Sequence, residues 1–248
     1  MAGKRKPGFM NLLFVERFGL KFTFLALLVI VLIFLSFPEI FYLSESHLNA
    51  YNSLSGGETI DLPEPDKLGI NTLEKTIEDR RSVRHFKSAN LSLEEISQLL
   101  WAGQGITEKE SGLRSSPSAG ATYPLELYVV DAEGVYNYEP EGHVLHLVKS
   151  GDLREDLVVS SLGQSFLGEA PVVIVITGVY DRTTSVYGEE VGKRYVYIEV
   201  GHCAQNILLQ SVALGLDSVP VGAFSQSGVQ EALSLADDHK PLYLIPVG

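Results

Sequence analysis

The chain has 248 residues, 45% of them hydrophobic and 20% charged, with a formal net charge of -12 at neutral pH. That balance supports a buried core and argues against nucleic acid as a partner, because proteins that bind it normally present a basic face. The single cysteine, Cys203, excludes an intrachain disulfide and a cysteine-built metal site.

The N-terminus stands apart. Residues 1–21 hold Lys4, Arg5, Lys6, Arg17 and Lys21 against one acid, Glu16, so the rest of the chain is more acidic than the whole. Phe22 to Pro38 is uncharged and almost wholly apolar, and Ile40 to Leu43 can extend it, so 22–43 reaches the length a spanning helix needs. A cleaved signal peptide and a buried core helix are the alternatives. The run is longer than a usual signal h-region and no small-x-small site follows, which favours an uncleaved anchor in membrane lipid. Cations before the span and Glu39 and Glu45 after it predict a single pass, with the N-terminus cytoplasmic and the C-terminal domain outside. Residues 44–66 are polar and contain Gly56-Gly57 and Pro63-Glu64-Pro65, which reads as a linker. Residues 67–248, about 180 in number, then form one globular domain.

Within that domain the spacing predicts a short helix over Leu73–Asp79, ending at Arg80 and Arg81. Ser92 and Glu95 form a capping box opening a second helix with Leu93, Ile96, Leu99 and Leu100 at helical spacing. Trp101 is expected in the core. Leu125–Asp131 alternates as a strand, and Val135–Tyr138 and Val144–Val148 flank a Pro-Glu-Gly turn as a hairpin. His143 and His146 on it are expected at the surface, and no metal site is expected. Asp152–Phe166 reads as one helix. Pro171–Thr177 is continuously apolar, as in a strand buried on both faces. Tyr195–Leu214 is the longest helical candidate of the domain. Its Glu199, His202, Gln205 and Asn206 read as interior hydrogen-bonding groups, and its Gly201 and Ala204 as points of close packing. Leu242–Val247 is a final strand. Strands and helices mix without a strict βαβ rhythm, which gives an α+β class.

Two stretches carry candidate chemistry. Arg80-Arg81-Ser82-Val83-Arg84-His85-Phe86 places three guanidinium forks and a hydroxyl within five residues, a donor set that suits a small anionic ligand. The plainer reading is cations at a helix C-terminus, complementing its dipole. Gly112–Pro124 is rich in Ser, Gly and Pro; small residues allow close approach of a ligand to backbone, though an ordinary connecting loop has the same composition.

Taken in order, three segments resemble the FMN-dependent nitroreductase superfamily: Arg80–Phe86, Ser116-Pro117-Ser118-Ala119-Gly120-Ala121, and Gly215-Leu216-Asp217-Ser218-Val219-Pro220-Val221-Gly222-Ala223-Phe224. With Leu-Leu-Trp-Ala at 99–102 and Gly-His at 201–202, the pattern is similar to the SagB-type branch, which includes thiazoline and oxazoline oxidases acting on modified peptides. The resemblance covers about residues 60–248. It implies a mixed sheet flanked by helices, an intertwined homodimer, and FMN as the carrier of hydride through its N5, with NADH or NADPH as a donor and a small molecule or modified peptide as substrate. By position it implies that Arg80 and Arg84, with Arg81 beside them, meet the FMN phosphate, and Ser82 the flavin's pyrimidine edge. Pro117, Ser118 and Ala119 would reach the flavin held mainly by the other subunit. Gly222 and Ala223, following Val221, would offer backbone donors to N5, and Gln164 an amide. Tyr123 and Tyr187 are candidate substrate-side donors. The Lys-Tyr pair of the azoline oxidases is not matched: Val186 precedes Tyr187, and Lys193 is the nearest following lysine.

Overall fold

The computed structural model describes residues 59–86 and 90–248. The segment expected to cross the membrane, 22–43, lies outside them, and among the described residues no helix is long and apolar enough to do so. Gly57–Gly248 forms one compact unit.

The stretch read as linker enters the domain earlier than expected. Thr59–Asp61 is strand β1, and Leu62 after it is buried. Helix α1, Leu73–Asp79, is capped by the Thr72 hydroxyl. Helix α2, Leu93–Gln104, starts with both bonds of the Ser92/Glu95 capping box in place. Short strands β2 (Ile106–Glu108) and β3 (Leu113–Arg114) pair with each other and lead into the 116–121 loop. Strands β4 (Leu125–Val130), β5 (Gly134–Glu139) and β6 (Val144–Ser150) form a meander. Helices α3 (Arg154–Ser160) and α4 (Phe166–Glu169), strand β7 (Val172–Gly178), and helices α5 (Asp181–Tyr187) and α6 (Glu189–Ala213) follow. Helix α7, Gln226–Ala232, and strand β8, Lys240–Val247, close the chain.

The main sheet has the order β1-β6-β5-β4-β7-β8, every neighbour antiparallel. Its mixed character arises beyond β8, where Ser218 bridges Val247 antiparallel and Ser82 bridges Ser218 in parallel. Alternation along β7 explains why that strand is apolar throughout. Val172, Ile174 and Ile176 join the core under α2 and α6, while Val173 and Val175 join a second core under α3, α4 and α7. A strand covered on both faces has no position for a polar side chain at low cost.

Several expectations are corrected here. The helix expected over Asp152–Phe166 breaks after Ser160, because Leu162 adopts φ 58° and the Gly163 N–H returns 3.0 Å to the Val158 carbonyl, closing a Schellman-type end. Trp101 is only half-buried, under the Lys67 ammonium at 6.0 Å from its ring. His143 is half-buried and bonded to Ser97 Oγ at 2.7 Å and Tyr138 Oη at 2.8 Å, and His146 pairs with Glu139 at 2.8 Å. On α6, His202 and Gln205 are exposed, and Gly201 has nothing within 4 Å. The close helix approach is made instead by Gly103 on α2, where an added Cβ would lie 3.0 Å from Ile207 and 3.2 Å from the Cys203 sulfur.

Candidate functional site

The site residues fall into two groups. The first is built by two helix stops and the sheet edge. Helix α6 ends in a full Schellman motif. Gly215, at φ 75°, is the left-handed residue that any Cβ would strain, Leu216 N–H donates to Ser211 at 2.9 Å, and Gly215 N–H donates to Val212 at 3.0 Å. The chain so released runs along β8, with Val221 N–H donating to Leu244 at 2.8 Å. Val83 N–H donates to the Ser218 carbonyl at 3.1 Å, which anchors the arginine stretch beside this segment. The broken α3 sends Gln164 to the same place, where its Nε2 donates to the carbonyls of Ala223 and Ser161, both at 2.9 Å. The Arg84 guanidinium lies 5.8 Å from the Phe166 ring.

This arrangement concentrates donors. Gly222 and Ala223 are exposed, and among the described residues their N–H groups meet no acceptor, whereas the Val221 N–H is used by the sheet. The guanidinium groups of Arg80 and Arg84 likewise meet no acceptor there, and Ser82 is exposed beside them. Arg81 differs: its Nη1 donates to the Glu78 and Arg80 carbonyls at 2.8 Å each, ending α1 as the plainer reading supposed. Buried Ser218 Oγ has no partner among the described residues. Two unengaged guanidiniums, two open amides and a hydroxyl fit a phosphate-bearing ligand with an acceptor-rich ring, as FMN is.

The second group surrounds the 116–121 loop, over α6. Ser116 Oγ donates to Gly103 at 2.8 Å and accepts from Asn206 at 3.3 Å, tying the loop to both helices. Gly120 sits at φ 61°, and a Cβ there would fall 2.5 Å from the Tyr187 hydroxyl. The Tyr187 ring packs edge-on against Tyr195. Pro117 is exposed, while Ser118 and Ala119 are half-buried. Tyr123 is held in place: its N–H donates to Ser118 Oγ at 2.9 Å, its hydroxyl accepts from Arg114 N–H at 3.3 Å, and the Arg114 guanidinium lies 4.6 Å over its ring. Lys193 pairs with Glu189 at 2.7 Å and does not stand in for a lysine beside Tyr187. A cavity of about 520 Å³ among α1, α2 and α6 reaches this group at Ser115 and Asn206.

No hydrogen bond or ring contact among the described residues joins the two groups. The structure therefore unites Arg80–Arg84, Gln164 and Val221–Ala223, and separately Pro117–Ala119, Tyr123 and Tyr187. One residue that sequence reasoning left as a generic interior group belongs with the second. Glu199 is 3% exposed, and burial pushes its carboxyl up to about 7 against the opposing effects of Ser118 and Arg114. The available signal was an acid with apolar Val196 at i−3 and Cys203 at i+4 on its helix. Among the described residues no group of three or more His, Cys, Asp or Glu side chains gathers as a metal site.

An antiparallel sheet flanked by helices, with an arginine stretch bridged to its edge and a small-residue loop over α6, defines a nitroreductase-type α+β domain. The nitroreductase family profile matches residues 77–248, and the chain belongs to that family of oxidoreductases. It is 44% identical over 199 residues to the protein named as a nitroreductase, MJ1384, of Methanocaldococcus jannaschii, covering 77% of this chain and 98% of that one. It is 26% identical over 190 residues to the trifolitoxin operon protein TfxC of Rhizobium leguminosarum bv. trifolii, covering 68% of this chain and 53% of that protein. Among solved structures, a Ralstonia eutropha JMP134 protein described as a nitroreductase superposes with a TM-score of 0.70 at 31% identity, over 77% of this chain and 88% of that one. A chain of the E. coli microcin synthetase McbBCD complex with truncated pro-MccB17 bound superposes at 0.59 and 23% identity, over 82% and 80% of the two chains, a likeness of fold.

Proposed function

We propose that the protein is a membrane-anchored, FMN-dependent oxidoreductase of the SagB-type branch, working as an intertwined homodimer. The observation that carries this reading is the meeting at one sheet edge of two separated motif segments, Arg80–Phe86 and Gly215–Phe224, with the Gln164 turn: Ser82 on Ser218, and Gln164 on Ala223. In the dimer, the edge group of one subunit and the loop group of its partner together form each of two sites. The apolar side chains of Leu68, Ile70, Leu73 and Ile77, all more than half exposed in the single subunit, supply a surface of the kind a dimer covers.

When bound, FMN supplies hydride chemistry; the chain's own residues hold and orient it. Arg80 and Arg84 would hold the phosphate, and Ser82 with the open amides of Gly222 and Ala223 would hold the ring. Arg81 contributes charge near the phosphate while closing α1. NADH or NADPH and a small-molecule acceptor serve as reaction partners. The segment 22–43 anchors the domain in the membrane. A second reading, dehydrogenation of a thiazoline or oxazoline in a modified peptide, draws on the likeness to McbBCD and TfxC. Val186 in place of the lysine before Tyr187 weighs against it.

The test is the visible spectrum of the purified full-length protein in detergent, before and after anaerobic NADH and NADPH. A flavin spectrum that bleaches is expected. Protein that stays colourless after incubation with FMN would refute the reading, and a flavin that neither nucleotide reduces would remove NAD(P)H as donor.

A further inference from the structure

His143 holds φ 52° in the turn between β5 and β6, a conformation that strains a residue with a Cβ. Its side chain fastens the segment by which the chain enters the domain. The ring Nε2 lies 3.0 Å from the Pro63 carbonyl and 2.7 Å from Ser97 Oγ, and Nδ1 lies 2.8 Å from Tyr138 Oη. The His143 carbonyl accepts from the Leu62 N–H at 3.1 Å. We propose that His143 is a proton-operated clasp: neutral, it holds residues 62–66 against α2 and β5; protonated, it turns out into a neighbouring cavity and lets them loosen. The clasp stands on these contacts and does not depend on the flavin reading.

The geometry places the protons of the neutral state. A carbonyl only accepts, so the nitrogen beside Pro63 O carries the ring's proton. Ser97 O–H donates to the same carbonyl at 2.5 Å, which leaves its lone pairs to face Nε2–H. Nδ1 is then a bare acceptor and takes the Tyr138 O–H. All three protons have acceptors. A second ring proton belongs on Nδ1, where the Tyr138 hydroxyl already points its own. Tyr138 is 1% exposed, and its hydroxyl has no other hydrogen-bond partner among the described residues. Protonation in place would strand the phenol proton in the core, without the water it bonds when unfolded.

The charged ring has a place to go. His143 is half-buried and lines a cavity of about 310 Å³ together with Glu64, Lys67, Trp101, Lys109 and Glu141. The entering segment supplies the Glu64 carboxylate, and the ring's own turn supplies Glu141, which also pairs with Arg114 of β3 at 3.0 Å. Lys67, from the entering segment, and Lys109, just after β2, oppose an imidazolium there. The groups that face the ring from α2 and β5, Ser97 and Tyr138, are uncharged. Turning out exchanges the contacts to Pro63, Ser97 and Tyr138 for water and a carboxylate. The Ser97 bond to Pro63 and the two bonds between Gln98 and Asp66, at 2.8 and 2.9 Å, then remain to hold the segment. Burial is the largest influence on the ring and keeps its ionisation below the usual 6.5, against the opposing effects of the Pro63 bond and Glu64. The clasp is therefore whole above pH 6.5 and is lost as pH falls through the lowered value.

The test uses the full-length protein in detergent. Trp101, the chain's one tryptophan, lines the same cavity, and an imidazolium beside an indole quenches its emission. Emission followed from pH 8 to pH 4.5 should fall in one step with its midpoint below 6.5, and His143→Gln should lose the step. Tyr138→Phe weakens only the inward state, so its midpoint should rise by about half to one pH unit, the worth of one neutral hydrogen bond. Glu64→Gln weakens the outward state and should lower the midpoint. Spectra of protein labelled with 15N-histidine should show the Nε2–H tautomer at pH 8 for the signal that Tyr138→Phe shifts, a reading that does not rely on the folding of His143→Gln. An Nδ1–H tautomer, no step in wild type, a step that survives in His143→Gln, or a midpoint unmoved by Tyr138→Phe would each overturn the proposal.

Discussion

The buried carboxyl of Glu199 must also appear in the pH dependence of folding. Its ordinary ionisation is at 4.5, the folded protein raises it to about 7, and the side chain is 3% exposed, so solvent screening removes little of the effect. A carboxyl raised on folding binds its proton more tightly in the native state. Its stabilising contribution is whole below pH 4.5, declines as pH rises, and is gone above 7. Two and a half units at about 1.4 kcal/mol each give at most about 3 kcal/mol across that window. The opposite case, Asp152, held below the usual carboxylate range by its bond to Arg154, loses its contribution only at lower pH and does not mask the effect. The assay is urea unfolding of wild type and E199Q at intervals from pH 5 to 8.5. The glutamine cannot ionise, so E199Q should match wild type within about 1 kcal/mol at pH 5 and exceed it by up to about 3 kcal/mol at pH 8. By thermal melts the difference at pH 8 should be about 6–12 °C. Parallel stability curves for the two proteins would refute the reasoning, since a purely structural defect shifts stability equally at every pH.

Replacing Arg80 and Arg84 together by alanine should weaken FMN retention by more than about 100-fold, two charge-assisted bonds being lost, with the circular dichroism spectrum unchanged. Arg81→Ala should cost far less, because its Nη1 serves the α1 carbonyls; equal losses in equilibrium dialysis would dissolve the distinction. Gly120→Ala should destabilise by about 1–3 kcal/mol from a left-handed backbone and a clash with the Tyr187 hydroxyl. Part of that cost should vanish in a Tyr187→Phe background, and a double-mutant cycle without coupling would show that the loop rests on something else. Ile207→Ala, at a site with no exposure between α6, α2 and the sheet, should cost about 2–5 kcal/mol by urea denaturation.

Much of the domain was legible because its signals are local. The α2 capping box involves Ser92 and Glu95, three residues apart, and appears in the structure with both bonds made. The bounds of α1 and the apolar run of β7 were equally readable, one from a polar cap and the other from burial on both faces. The three motif segments were readable as a donor set with small-residue approaches, since residue type and order survive without coordinates.

What local signals could not supply was decided by contacts between residues far apart in the chain. Leu162 in a left-handed conformation contradicts its own preference, and the break it makes is what delivers Gln164 to Ala223, 59 positions away. His143 left the surface because Ser97 and Tyr138 closed around it. Arg81 and Arg84 are near neighbours of the same type, yet one closes a helix and the other lies over Phe166. Glu199 became an ionisable group of consequence only when α6 was laid against the 116–121 loop, because burial, a property of the packed whole, governs the cost of its charge. The amino-acid sequence by itself determined the family, the bounds of α1, the start of α2 and the chemical inventory of the site. The tertiary structure alone decided which donors stay open and which acid is held near neutrality, since both depend on desolvation and long-range pairing that no stretch of chain encodes alone.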